Sequence, residues 1–406
     1  MDTDILISGG GPVGCALAVA AARQGWRVTV VESRAPDAPA ADDPRHIALS
    51  AASVRICAAL GFWPVLASWA QAVARVEVSQ AGHFGALKFT AADLGLAALG
   101  QVLPAGPLFS AMQAVARVQP GVEWRAPARI VQADGGEAHV EAVLEAGGRL
   151  RAALLVVAEG AQSALRAALG FQAEATAFGQ TALLCALRDG APHQGASWQR
   201  LTADGPIAIL PLREDARAVV CTLPEARAPE LAALDDAAFL RWLTGHCGAR
   251  LGASRTVTAR SLWPLSQTLA PQQARGRALL LGNSAHSLHP VAAQGLNLAL
   301  RDAAGLADRL GAARAEQGHA ADAGTAALLA DYAARRARDQ ARTTGFSSLL
   351  AQVLENPALD FPALRALGLL AMEHLPPLKR AVLRRLTGLA GRHSAAMLVG
   401  AEIERA

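Results

Sequence analysis

No two cysteines of this chain are spaced as a CxxC pair. The five present (Cys15, Cys57, Cys185, Cys221 and Cys247) are odd in number and scattered, which argues against a disulfide framework or a zinc site and fits a reducing cytoplasm. Lysine is nearly absent, with Lys88 and Lys379 standing alone among many Arg and Ala, a bias we read as genome base composition. Aromatic residues are only 4% of the chain and never interleave a basic block, so nucleic acid is excluded as a partner. HExxH, paired-carboxylate and Ser-His-Asp patterns are missing too. The chain therefore brings no metal and no nucleophile of its own to a reaction.

What is present is a folding chain. Its 406 residues are 52% hydrophobic and 18% charged, enough for two to three domains and incompatible with disorder. The net charge of +4 is unevenly spread: from Ala333 onward there are 11 Lys or Arg against 6 Asp or Glu. Ile5–Ala22 is an uncharged run of 18 residues that imitates a membrane span. Asp2 and Asp4 precede it, however, and Gly9, Gly10, Gly11, Pro12 and Gly14 fall inside it, so it reads as strand, turn and helix.

In that reading, Asp4–Ser8 is a buried strand, Cys15–Gln24 an Ala-rich helix, and Arg27–Glu32 a second strand ending in an acid. Gly9, Gly11 and Gly14 satisfy GxGxxG, with Pro12 and Val13 between them. The first glycine permits the turn, the second lets a pyrophosphate approach, and the third lets helix and strand pack closely. The phosphates would rest on the free N–H groups of the helix start. Glu32, 21 residues beyond Gly11, stands where an acid binds ribose hydroxyls, which favours FAD or NAD over NADP.

Two later segments have the same strand-into-turn form. Leu154–Arg166 (LLVVAEGAQSALR) carries Glu159 and Gly160, followed by Ser163 and Arg166. Ala278–Leu310 passes through Gly282 and Asn283 to His286, His289, Pro290, Gln294, Gly295, Leu296 and Asn297. A helix start there would offer free N–H groups to an acceptor. The other reading is a buried loop whose His and Asn are satisfied core polar groups.

Together the three segments resemble the class A FAD-dependent aromatic hydroxylases, which carry GxGxxG, a DG motif and a GD motif in this order. Ala158–Arg166 matches the DG motif and Gly282–Asn297 the GD motif. Arg45 in RHIALS resembles the arginine-bearing segment beside the FAD phosphates. The run GNSAHSLHPVAAQGLNLALRD is similar to the form found in ubiquinone-biosynthesis hydroxylases, as are Arg200–Leu212 and Val78–Val102. The last of these, ending in Gln101 and Val102, is most similar to the 2-octaprenyl-6-methoxyphenol hydroxylases. Three positions depart from the pattern: Glu159 for Asp, Asn283 for the GD aspartate, and Ala293 for a glycine.

The resemblance implies an α/β fold: a three-layer, Rossmann-like FAD domain of the para-hydroxybenzoate-hydroxylase type, an inserted β-sheet substrate domain, and a C-terminal helical tail. The expected boundaries are 1–75, 102–180 and 271–345 for the FAD domain, 76–101 and 181–270 for the substrate domain, and 346–406 for the tail. FAD would be held non-covalently by Gly9, Gly11, Pro12, Val13, Gly14, Glu32, Ser33, Arg45, Gln101, Glu159, Gly160, Gly282, Asn283, Pro290, Gln294, Gly295, Leu296 and Asn297. With one fingerprint only, NADH or NADPH would dock transiently as reductant. Reduced FAD and O₂ would then give a C4a-hydroperoxide that hydroxylates a polyprenylated phenol. His289, Pro290, Gln294 and Gly295 would position the flavin, with backbone N–H groups stabilising charge at N1–O2. His286 and His289 are open to proton handling or to simply holding the loop, the second being the favoured reading for His286. Trp263, Arg200 and Cys221 are open to a substrate-side or a core role.

Leu378, Val382, Leu386 and Leu389 recur at helical spacing among Lys379, Arg380, Arg384 and Arg385. That is a basic amphipathic helix, suited to a membrane surface, a partner in a biosynthetic complex, or its own domain. The expected location is cytoplasmic, with peripheral contact at the inner face of the cytoplasmic membrane. Soluble phenols, or a flavin-binding scaffold with weak chemistry, are the alternative functions.

Overall fold

The computed structural model describes residues 1–35, 43–188, 190–251, 256–289, 293–355, 362–391 and 393–405. Its first sheet runs in the order Ala274–Arg275, Ala278–Leu280, Arg149–Val157, Thr3–Ser8, Val28–Val31, Val122–Arg125. Thr3–Ser8 lies at the centre, parallel to both neighbours, with Ser8 opposite Val31 and Val157. A parallel central strand is covered on both faces, and so reads as an unbroken apolar run rather than an alternating one. Ile5 and Ile7 pack toward the helices, while Leu6 joins Leu155, Val157, Ile130 and Val140 on the opposite face. Burying each such aliphatic side chain contributes roughly 1.5–3 kcal/mol.

The fingerprint helix spans Pro12–Arg23, starting earlier than the sequence reading because proline at the first helical position costs no hydrogen bond. Ten of its residues are buried. Small alanines let it lie close to the sheet and to the long helix Gln294–Gln317.

The second sheet has nine strands and is mostly antiparallel. Its spine is Glu174–Arg188, hydrogen-bonded to Ser261–Leu269 on one side and Arg217–Pro224 on the other. Gly205–Pro211, Ala196–Thr202, Arg75–Gln80 and Ala86–Thr90 continue it to an outer edge. Asp236–Cys247 covers one face through Phe239 and Leu243, against Leu183, Ile207 and Cys221. At the other end, His286–Ser287 pairs with Thr268 and Leu269, so the turn after Ala278–Leu280 is stitched directly to this sheet.

The C-terminal helices Pro362–Glu373 and Pro376–Leu386 pack over the outer edge strand, where Leu369, Met372, Val382, Leu383 and Leu386 meet Leu87 and Phe89. Val382, Leu383 and Leu386 of the basic helix are thus spent on its own protein, while Leu378 stays exposed. Leu389, which the periodicity puts on that helix, lies buried beyond its end. No single helix among the described residues is long and apolar enough to cross a membrane.

Candidate functional site

Four parallel strands end together, as their backbones record: Gly9 N–H donates to Val31 O at 2.8 Å, Ala158 N–H to Ser8 O at 2.7 Å, and Leu281 N–H to Val157 O at 2.9 Å. Beyond these ends lies a cleft of about 530 Å³, the position where open α/β sheets bind ligands.

The fingerprint turn is built by steric exclusion. Gly9 has φ +109°, and a Cβ there would lie 2.5 Å from Ala158 O. A Cβ on Gly14 would lie 2.1 Å from Gly9 O, so the helix can meet the turn only without a side chain. In front of Gly11 there is nothing within 4 Å. Cys15 N–H makes the first helical bond to Gly11 O, leaving the N–H groups of Val13 and Gly14 ahead of it at the positive helix end.

Glu32 is buried at the strand tip. Its Oε2 accepts Gly10 N–H at 2.7 Å and its Oε1 accepts Arg34 N–H at 2.9 Å. The Glu159 carboxylate accepts from Ser8 Oγ and Ser163 Oγ, each at 2.6 Å. The extra methylene of Glu is accommodated by tying the carboxylate to a strand end at Ser8 and a helix start at Ser163. Arg166 donates to Ser284 O and Ser284 Oγ to Gly160 O, joining the middle segment to the late one.

The late segment turns at Gly282–Ser284, where Asn283 is exposed to the cleft. Ala293 sits at φ +50°, ψ +34°, left-handed backbone that costs a non-glycine residue of order 1 kcal/mol. The helix beginning at Gln294 brings Gly295 and Leu296 to the cleft wall.

Residues 2–347 match the family described as FAD binding domain. The chain belongs to that family. It is 33% identical over 387 residues to the ubiquinone hydroxylase UbiL of Rhodospirillum rubrum, covering 95% of this chain and 89% of that one. It is also 33% identical over 393 residues to the 3-demethoxyubiquinol 3-hydroxylase of Escherichia coli, covering 95% and 99%. Among solved structures, p-nitrophenol 4-monooxygenase PnpA from Pseudomonas putida DLL-E4 shares the fold at TM-score 0.76 and 21% identity, over 96% of this chain and 98% of that one. The protein is therefore an FAD-dependent monooxygenase of the ubiquinone-hydroxylase family, whose members draw electrons from NAD(P)H.

In this flavin monooxygenase the cleft wall includes Gly9, Gly11, Pro12, Val13, Glu32, Ser33, Arg45, Glu159, Gly160, Gly282, Asn283, Gly295 and Leu296. Five other expected residues are absent from that wall. Gly14 lies behind it as packing. Gln101 is in mid-strand between Leu49 and Ala72. Asn297 is a staple: its Oδ1 accepts Ser50 N–H at 2.8 Å and its Nδ2 donates to Ala48 O at 2.9 Å. Gln294 donates to Leu386 O at 3.2 Å, and His289 is buried against Gln180 and the edge of Phe178. Pro290 lies outside the described residues.

Burial lowers the His289 imidazole to about 4, so near neutral pH it is uncharged. His286 meets Asp302 at 2.5 Å through Nε2, and its buried Nδ1 has no hydrogen-bond partner among the described residues. Burial raises the Asp302 carboxyl, but the Arg336 guanidinium and the His286 and Gln340 hydrogen bonds outweigh it and hold the carboxyl at about 2.

Sequence reasoning passed over several wall and support residues. Trp124 packs on Gly10 so closely that a Cβ there would be 2.6 Å from the ring. Gln113 Nε2 donates to Gly10 O at 2.8 Å. Phe109 and Arg129 reach the cleft from segments without a motif, and Gln162 from within the middle motif. Arg45 is paired with Asp43 at 2.8 Å and lies 4.8 Å over the Trp263 ring, linking the cleft to the second sheet. Of the three substrate-side candidates, Trp263 alone adjoins the cleft. Cys221 is core, and Arg200 donates to Ser79 and His246.

Proposed function

We propose that this protein hydroxylates the aromatic ring of a polyprenylated phenol in ubiquinone biosynthesis, using O₂ and a transiently docked NADH or NADPH. The observation that carries the reading is the single cleft wall made by all three motif segments, with open space in front of Gly11 and with Arg45 of that wall over the Trp263 ring. FAD bound there supplies the oxygen activation, by the C4a route that the family resemblance implies. The chain's own residues would do the rest. Val13 and Gly14 N–H groups would receive the pyrophosphate, with Arg45 released from Asp43 as its countercharge. Glu32 and Ser33 would take ribose hydroxyls. Asn283 would bond the ribityl chain, and the helix start at Gly295 and Leu296 would receive charge on the flavin ring. Neutral His289 would keep the adjoining wall dry and oriented rather than carry a proton at neutral pH.

The test is an absorbance spectrum of the purified protein, followed by NAD(P)H consumption with and without a short-chain prenylphenol. Substrate-stimulated oxidation and a product heavier by one oxygen support the reading. A second reading, a flavin-binding scaffold with weak chemistry, draws on the strained Ala293 and the neutral Asn283. NADH oxidation that ignores the phenol and yields no hydroxylated product would favour it.

A further inference from the structure

The helix Pro362–Glu373 is apolar on two opposite sides. Its inner side, with Ala366, Leu369 and Met372, is packed on the outer edge of the second sheet. Its outer side carries Leu364 and Leu367, 64% and 60% exposed, and continues into Leu375 and Leu378 at 51% and 48%. Phe84, 89% exposed, stands beside it, because a Cβ on Gly85 would lie 3.3 Å from Ala366 O. A helix with an outward apolar stripe is a docking face, since no described residue covers that surface.

Charge identifies what covers it. The next helix presents Arg380, Arg384 and Arg385 to solvent, and none of them has an ion pair among the described residues. The nearby carboxylates point inward instead. Glu373 accepts Lys88 N–H at 2.7 Å and Lys379 Nζ at 3.0 Å, and Asp93 accepts Thr90 N–H at 2.8 Å. Both helices bury their inner faces in one cluster, so stripe and arginines share the outward side. A second exposed apolar group, Leu398, Val399 and Ile403, stands instead beside Glu402 and Glu404.

We propose that Phe84, Leu364, Leu367, Leu375 and Leu378, rimmed by Arg380, Arg384 and Arg385, seat this protein on an anionic lipid bilayer. Apolar side chains would enter the headgroup boundary while the guanidinium groups hold anionic lipids. The basic helix foreseen from sequence supplies the charge, and the helix before it supplies the insertion. The inference deepens the polyprenyl reading, because a substrate dissolved in the bilayer needs an enzyme at its surface.

The test is co-sedimentation of the flavin-loaded, full-length protein with phosphatidylcholine vesicles, with and without phosphatidylglycerol. Binding to the anionic vesicles that weakens with salt is expected. L364S/L367S should lower it on the order of tenfold, R380E/R385E should lower it comparably, and L398S/I403S should leave it unchanged. Leu364 and Leu367 are exposed, so an unchanged melting temperature and flavin spectrum would verify folding. Wild type that ignores anionic vesicles overturns the proposal, and so does L364S/L367S that binds as wild type does. Self-association abolished by L364S/L367S, without vesicle binding, assigns the stripe to a second copy and also overturns it. Hydroxylation of a soluble short-chain prenylphenol should be equal in wild type and L364S/L367S. Vesicle binding with no hydroxylation would sink the substrate reading and leave the lipid face standing.

Discussion

Two of the turns that line the cleft are built on opposite plans. The Gly9–Gly14 turn is shaped by what its own residues lack, since bare glycines let Ala158 O, the Trp124 ring and the turn's own Gly9 O approach. The Gly282–Gly295 turn is shaped by what distant residues hold. Ser347 Oγ donates to His289 O, Gln294 bonds Leu386 O, and Asn297 is tied to Ala48 and Ser50. The first turn needs bare backbone for close approach, whereas the second carries a strained alanine that remote anchors keep in place.

Gly14→Ala should break the first turn outright. A methyl 2.1 Å from Gly9 O cannot be accommodated, so we expect a loss of about 3 kcal/mol or more and a flavin-free protein, read by urea unfolding and absorbance. Gly11→Ala sharpens the contrast, because its methyl enters open space. Its unfolding curve should match wild type while FAD affinity, measured by titration, falls.

Next in size is Asp302→Asn, which strikes the remote support of the second turn. It removes a buried charge facing Arg336 and His286 and should cost about 3 kcal/mol in unfolding experiments. Acid should act on the same region in two stages. His289 titrates near 6.5 when unfolded and about 4 when folded, so its contribution is complete above pH 6.5 and is lost as pH falls toward 4. Asp302, shifted from 3.8 to about 2, loses its contribution only below that window. Melting temperatures across pH should show the upper stage vanish in His289→Gln and the lower one in Asp302→Asn. Smallest, and opposite in sign, Ala293→Gly should relieve left-handed strain and stabilise by about 0.5–1 kcal/mol, read as a raised unfolding midpoint.

Legibility in the sequence follows the same division. The strand, turn and helix of residues 3–31 could be read because the glycine spacing and the apolar runs on either side of it fall within one short stretch. Glu159 and Asn283 were legible as positions but not as contacts, since the serines that hold Glu159 come from two different segments. Trp124 against Gly10 and Arg45 over Trp263 left no pattern at all. Each joins residues more than a hundred positions apart, and neither periodicity nor spacing reports such distances. The tail stays open in the sequence for a related reason. Periodicity identified an amphipathic helix, but only the packing of Leu383 and Leu386 on Leu87 decides which face is already occupied.

The bond from Gln294 to Leu386, with Ala52 N–H to Thr387 O beside it, has a consequence for how such proteins are recognised and cut. The match to the FAD-binding family ends at residue 347, and every motif lies before that point. A chain shortened there would satisfy any motif inventory and still lack the backbone oxygens that moor the flavin loop. Completeness by signature and completeness by mechanics are separate properties in this fold, and the final helices belong to the second.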